Sequence, residues 1–278
     1  MKERERVDVL LVQKGLFPSR EQAQRAVMAG QIYHGQQRVD KAGSKVDRET
    51  KLEVHGKLMP YVGRGGLKLE KALSCFPVSV KGKRMLDIGA STGGFTDCAL
   101  QNGACQVYAL DVGYNQLAWK LRSDHRVIVM ERTNFRYCMP ANFTDGLPEF
   151  ATIDVSFISL KKILPALKNI LLPQGDVIAL IKPQFEAGRE EVGKKGIVRD
   201  SQIHQKVIED ILQFAEGCGF TAYGLDFSPI TGGDGNIEFL AWLRLANSAE
   251  SSELNIPSAQ EVVAKAHQTF TRHSAPEK

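Results

Sequence analysis

The chain has 278 residues, 43% hydrophobic and 24% charged, the usage of a globular protein with room for one ordinary domain and a small one. Its five cysteines form no C-x-x-C and no His/Cys cluster with zinc spacing, so no metal site is expected and the thiols read as reduced. The formal net charge is +4, and residues 1–62, with 12 basic and 8 acidic residues, hold all of that excess, which suits a basic module that meets a polyanion.

In chain order, residues 4–20 read as a helix followed by a turn, with Val7, Leu10 and Leu11 at helical spacing and Gly15 as the stop. Ser19 caps a second helix from Arg20 to Ala29, and Gly30 ends it. Short strands follow at 31–34, 38–39 and 52–54. The segments Arg6-Val7-Asp8-Val9-Leu10-Leu11, Ser19-Arg20-Glu21-Gln22-Ala23 and Met28-Ala29-Gly30-Gln31-Ile32 resemble the S4 RNA-binding domain. That resemblance implies RNA as partner, with Arg4, Arg6, Arg20 and Arg25 as candidate contacts; a solvated charged helix is the plainer alternative.

Proline and four glycines mark 56–66 as a linker without regular structure. A helix is expected over Leu67 to Cys75. Strands are expected at 84–89, 106–111, 126–130, 150–155, 176–182, 221–227 and 237–245, and helices at 94–102, 114–122, 161–171 and 201–217. This alternation predicts an α/β body: a seven-stranded, mostly parallel sheet covered on both faces. The expected divisions are a module at 1–58, a linker at 59–66, a body at 67–247 and a tail at 248–278. The charged segment 186–199 reads as a mobile loop, 247–257 as a flexible connector, and Ser258 as the start of a short amphipathic helix.

The most informative stretch is Leu86-Asp87-Ile88-Gly89-Ala90-Ser91-Thr92-Gly93-Gly94-Phe95. It reads as a buried strand, a tight glycine turn and a helix start, the device by which doubly wound sheets offer backbone N–H groups to a nucleotide-like cofactor. The spacing is G-x-x-x-G-G, not the dinucleotide G-x-G-x-x-G. Asp87 lies in the strand end, and Asp111 ends the next apolar run, where a carboxylate can hold ribose hydroxyls. Acid here suits a cofactor carrying an ammonium and a sulfonium, so S-adenosylmethionine is the expected cofactor. Its candidate contacts are Asp87, Gly89, Ala90, Ser91, Gly93, Gly94, Phe95, Asp111, Val112, Asn134 and Asp154. Asn134 either meets the adenine edge or caps its own loop.

Chemistry in such sheets collects at the carboxyl ends of the strands. Asp154 and Lys182 close two apolar runs there, Glu238 opens the last strand, and Lys68 lies in the helix after the linker. Two lysines and two carboxylates can thus converge. A ribose hydroxyl is a poor nucleophile and needs its oxygen oriented or its proton accepted. A free lysine is protonated at neutral pH, and a second ammonium with partial burial is the ordinary way to change that. The expected roles are Lys182 as proton acceptor, Asp154 as its orienting partner, Lys68 as perturbing and positioning group, and Glu238 as tether. Gly232-Gly233-Asp234-Gly235 reads as a lid or a hairpin turn. Phe17, Phe157 and Phe185 read as packing residues. Arg64, Arg132, Arg136, Lys194 and Lys195 are candidate phosphate contacts or plain surface.

This arrangement resembles the FtsJ-type ribose 2′-O-methyltransferases, a Rossmann-like class I fold. With the S4-like module in front, the chain is similar to the TlyA family of rRNA 2′-O-methyltransferases, often labelled hemolysin A. The residues that carry the similarity are Gly63-Arg64-Gly65-Gly66-Leu67-Lys68-Leu69, 86–95, Glu131-Arg132-Thr133-Asn134-Phe135-Arg136, Asp154-Val155-Ser156-Phe157-Ile158-Ser159-Leu160, Ile181-Lys182-Pro183-Gln184-Phe185-Glu186 and Gly235-Asn236-Ile237-Glu238. The resemblance implies methylation of a cytidine in rRNA within ribosomal subunits, the large subunit favoured, by a cytoplasmic protein. Met59-Pro60-Tyr61-Val62 departs from the Arg-Ala-Trp-Val of one branch. Three rivals are a membrane-lytic hemolysin, an inactive RNA-binding adaptor and a small-molecule methyltransferase. The first lacks an uncharged apolar run of the roughly 18 residues that span a membrane. The second leaves Asp87, Asp154 and Lys182 without purpose, and the third does the same to the basic module.

Overall fold

The alternation of apolar strands and amphipathic helices resolves, in the computed structural model, into two units, Met1–Pro60 and Tyr61–Lys278. Residues 4–17, 19–28, 30–55, 59–246 and 256–272 are described, with the backbone alone for Arg25, Thr271 and Arg272.

The first unit runs β1 (Arg4–Arg6), α1 (Val7–Gln13), α2 (Arg20–Met28), β2 (Ile32–His34), β3 (Gln37–Arg38), β4 (Lys45–Asp47) and β5 (Glu53–Val54). Val7, Leu10, Leu11, Ala23, Val27 and Ile32 form its core. Ser19 caps α2 as expected, its Oγ accepting from the Gln22 N–H at 3.3 Å. The expected helix end at Ala29 lies outside the described residues, as do 56–58 of the expected linker. One expectation fails: Arg4–Arg6 is a strand, antiparallel to β4, with Glu5 opposite Val46. A charged triplet carries no period-2 apolar signal, and its partner lies about forty residues away, so only long-range pairing defines it.

The second unit runs α3 (Gly66–Cys75), β6 (Arg84–Ile88), α4 (Gly94–Gln101), β7 (Gln106–Leu110), α5 (Trp119–Arg122), β8 (Val127–Met130), β9 (Phe150–Ile153), α6 (Leu164–Lys168), β10 (Asp176–Ile181), α7 (Pro183–Glu186), α8 (Ser201–Gly217), β11 (Phe220–Phe227), β12 (Phe239–Leu245) and α9 (Ala259–Arg272). One seven-stranded sheet has the order β11-β12-β10-β9-β6-β7-β8. Within it β12 pairs antiparallel with both neighbours, and the pairs from β10 to β8 are parallel. Every residue of β10 is buried, and its side chains alternate between two cores. Val177, Ala179 and Ile181 join α8 and α9 on one face, while Ile178 and Leu180 join α3 and α4 on the other.

Four expectations change. The helix expected at 114–122 shortens to α5, which leaves 112–118 as a loop at the carboxyl edge. The helix expected at 161–171 becomes a 3₁₀ turn, Leu160–Lys162, and then α6, where Pro165 is tolerated in the first turn because its missing N–H has no partner there. The end of the linker is not loose: Tyr61 and Val62 are buried in the body, and the Val62 N–H donates to Asp97 Oδ2 at 2.9 Å. Segment 186–199 is tied down by Asn236, whose Oδ1 accepts from the Val198 N–H at 3.0 Å and whose Nδ2 donates to the Gly196 carbonyl at 2.9 Å. The connector expected at 247–257 lies outside the described residues except at 256 and 257. The helix expected from Ser258 is α9, opened by a capping box between Ser258 and Glu261.

Candidate active site

The glycine turn after β6 is held by close backbone approach. Gly89 has φ +88°, and a Cβ there would stand 2.5 Å from the Asp154 carbonyl oxygen, so only glycine lets the turn lie against the exit of β9. A Cβ on Gly94 would stand 2.8 Å from the Gly66 nitrogen, which brings the start of α3 onto the first turn of α4. Asp111 staples the turn to the next strand: its Oδ2 accepts from the Ser91 N–H at 2.8 Å and its Oδ1 from the Gly113 N–H at 2.7 Å.

Two adjoining cavities open along this edge and share Gly89, Ser91, Asp154, Ser156 and Phe157. One, of about 510 Å³, is also lined by Asp111, Val112, Gln116 and Asn134. The other, of about 430 Å³, is also lined by Ala90, Gly94, Phe95, Lys68, Lys182 and Glu238. Asn134 caps its own loop, one of the two roles expected of it, its Oδ1 accepting from the Arg136 N–H at 3.2 Å, and it also lines the first cavity. Asp87 and Gly93 line neither cavity. Asp87 is fully buried beneath the turn, its two oxygens accepting from Thr96 Oγ1 at 2.7 Å and Thr152 Oγ1 at 2.9 Å. Burial pushes its carboxyl up to about 6. It braces the turn from beneath. Gly93, at φ +94°, instead makes room for Leu121.

The four charged residues do meet. Lys68 Nζ lies 2.7 Å from Glu238 Oε2 and 3.3 Å from Asp154 Oδ2. Lys182 Nζ lies 2.5 Å from Asp154 Oδ1 and donates to Ser156 Oγ at 3.3 Å. Asp154 thus sits between two ammonium groups. Burial alone would raise its pKa, but the two cations outweigh it and hold the carboxyl below its usual value. Lys68 and Lys182 are linked through this shared carboxylate. Gly232 allows the tether: a Cβ there would stand 2.7 Å from Glu238 Oε1.

The site also contains residues the sequence reading missed or misjudged. Ser156 is a hydrogen-bond partner of Lys182, legible in hindsight as the polar residue two past Asp154. Phe157 is 91% exposed with φ +62°, not packed as expected. A bulky residue in the left-handed region at a cavity mouth is strained, and such strain collects at functional sites. Phe17 is buried as expected, and Phe185 is half-buried with its ring 5.0 Å from that of Phe157.

The family of FtsJ-like methyltransferases matches residues 61–245, and the S4 domain matches residues 5–52. The chain belongs to the FtsJ-like methyltransferase family. It is 61% identical to a Bacillus subtilis protein named "Putative rRNA methyltransferase YqxC", over 98% of this chain and 97% of that one. It is 42% identical to the Mycobacterium tuberculosis "16S/23S rRNA (cytidine-2'-O)-methyltransferase TlyA", over 88% of this chain and 91% of that one. A solved structure described as "Putative hemolysin from Streptococcus thermophilus" is 57% identical, with a TM-score of 0.78, covering 98% of this chain and 99% of that one.

On this FtsJ-like protein the candidate RNA contacts scatter. Arg64 lines the cavity of Lys68 and Lys182, while Lys194 lines a separate one with Lys195 and Arg199. Arg132 stacks over the Tyr114 ring at 4.0 Å. Arg4 is exposed on β1. Arg6 is bidentate on Asp8, its Nε and Nη2 each 2.9 Å from a carboxylate oxygen, and Arg20 reaches the same carboxylate at 3.2 Å. These two arginines therefore brace a buried aspartate as well as facing solvent, and Arg6 in particular holds the Asp8 carboxyl far below its usual range. The Arg25 side chain lies outside the described residues. Among the described residues no helix is long and apolar enough to cross a membrane, and the amphipathic α9 spends Val262, Val263 and Ala266 on the core.

Proposed function

We propose that this methyltransferase transfers a methyl group to the ribose 2′-hydroxyl of a cytidine in rRNA, within a ribosomal subunit in the cytoplasm. The observation that carries the reading is Asp154, clasped by Lys68 and Lys182 at a cavity continuous with the one that holds the glycine turn and Asp111. S-adenosylmethionine fits the cavity lined by Asp111: Gly89 leaves bare backbone where a Cβ would intrude, Asp111 offers acceptors for ribose hydroxyls, and Val112 offers an apolar contact. When bound it supplies the methyl group. The protein's own residues do the rest. Lys182, held by Asp154 and Ser156, orients the 2′-oxygen and relays its proton, handing one of its own to Asp154 as it takes the hydroxyl's. Asp154 fixes Lys182, and Glu238 with Lys68 fixes Asp154, so the acceptor meets a preset geometry. The exposed ring of Phe157 stacks on the target base once it leaves its helix. Residues 1–58 are read as the RNA-gripping module and 67–247 as the catalytic body.

Transfer of labelled methyl from S-adenosylmethionine to isolated ribosomal subunits tests this. Label on the large subunit is expected from the wild type and its loss from Lys182→Ala. No label on either subunit from the wild type ends the reading. Liposome leakage tests the rival hemolysin reading: leakage by the pure protein that Lys182→Ala leaves unchanged would revive it.

A further inference from the structure

We propose that Gln184 reads the acceptor base, its side-chain oxygen taking a hydrogen bond from an exocyclic amine and so selecting cytidine over uridine; this rests on the methyl-transfer reading. Pro183 opens α7 directly after Lys182, and Gln184 follows it into the same cavity as Lys68, Asp154, Lys182 and Phe157. Gln184 Oε1 is buried and has no hydrogen-bond partner. Among the described residues that condition is shared only by Glu186 Oε2, and Glu186 lines neither cavity. Buried acceptors are nearly always paired, and leaving one empty is costly, so an orphan beside a substrate site marks a place for a ligand's donor.

The position defines which donor. The base hangs from the sugar carbon next to the one that bears the 2′-hydroxyl. With that hydroxyl at Lys182, the base lies within a side-chain length of Gln184. The rings of Phe157 and Phe185, 5.0 Å apart, line the same cavity and give the base an apolar face. Cytosine presents an amine on its Watson–Crick edge where uracil presents a carbonyl oxygen. Against an acceptor the amine pairs and the carbonyl is repelled. Sites built for one hydrogen-bonding group reject the analogue that lacks it.

The test maps the methylated nucleotide, then compares subunits that carry cytidine or uridine at that position with wild type, Gln184→Leu and Gln184→Glu. Leucine keeps the bulk without the acceptor; glutamate keeps the acceptor. Wild type is expected to prefer cytidine by roughly tenfold to a hundredfold in kcat/KM, the range of one well-made base contact. Gln184→Leu is expected to lose most of that ratio through slower reaction of cytidine, and Gln184→Glu to retain it. Calorimetric affinity for S-adenosylmethionine is expected to be equal in all three. Gln184→Met serves in place of the leucine variant should that variant not fold. A wild-type ratio in the leucine or methionine variant overturns the proposal, as does a mapped target base without an exocyclic amine. Absence of any transfer by the wild type sinks the underlying reading first, and this one with it.

Discussion

Strand β10 has a carboxylate held by two cations near each of its ends, and only one of the two arrangements is suited to chemistry. At its start Asp176 accepts from Lys83 at 2.8 Å, from Arg244 Nε at 3.0 Å and Nη2 at 2.9 Å, and from the Trp242 indole at 2.9 Å. Just past its end Lys182 meets Asp154 beside Lys68. The ion counts match, but the surroundings differ. The cations on Asp176 are about 30% exposed, and one is a planar arginine that saturates the carboxylate. The lysines on Asp154 are no more than 10% exposed and line a cavity. Each lysine has three donors and two recorded partners, so each keeps a donor for an incoming oxygen. The helices that follow parallel strands leave the sheet on either face, so the carboxyl edge opens into a crevice and the amino edge does not. Charge composition alone does not distinguish a brace from a reaction centre; the edge of the sheet does.

That contrast can be broken by experiment. The largest effect is expected from Lys182→Ala, which should lower kcat by about 10²–10⁴-fold, the usual worth of a positioned acid or base, while S-adenosylmethionine affinity and the unfolding midpoint stay near wild type. A loss of folding instead would make this end a brace like the other. Next comes acid stability, which rests on neither cluster. His204 is fully buried, bonded to His267 at 3.0 Å and to the Val198 carbonyl at 3.1 Å. Burial, first of all, pushes its pKa down to about 4. An unfolded histidine takes up its proton near 6.5, so stability should fall as pH drops from about 6.5 to about 4, by about 3 kcal/mol in all, and level off below. The difference between wild type and His204→Gln in denaturant titrations isolates this slope from Asp87, whose raised carboxyl, at about 6, tilts the curve the other way.

Asp176→Ala should cost about 2 kcal/mol of unfolding free energy, because its two cations are partly exposed and can rehydrate. The kcat of the folded variant should be unchanged; a fall would mean that the two ends of β10 are coupled. The smallest effect is expected from Phe157→Ala. Its KM for the subunit should rise roughly tenfold, the low end of what one base–aromatic stack is worth, with cofactor affinity unmoved. A fall in kcat with KM constant would give Phe157 a role in the chemistry rather than in holding the base.

Much of this is legible in the sequence. The buried strands announce themselves by continuous apolar runs; Asp154 and Lys182 close two of them at one predicted edge, Glu238 opens the last strand, and Lys68 follows the linker at the start of a helix. Local signals also located Ser19 and Ser258 as helix caps, since a cap depends on its nearest neighbours alone. The failures are non-local. The strand at Arg4–Arg6 exists through a partner beyond Lys41. Asp87 looked like a cofactor contact because the sequence places it beside the turn, yet two threonines from different elements turn it inward. Phe157 looked like core because phenylalanine usually is, and only its left-handed backbone shows that it stands out at the cavity mouth.

The order of residues by itself determined that this chain builds an S4 module and a doubly wound methyltransferase body, because apolar period, glycine spacing and helix caps act over a few residues. It also placed Asp154, Lys182 and Glu238 at strand ends, since the end of a strand is a position along the chain. Only the tertiary structure decided that Glu238 holds Lys68, that Asp154 joins the two lysines, and that Gln184 carries a buried oxygen without a donor. Those facts depend on distances between elements far apart in sequence, which burial and packing set.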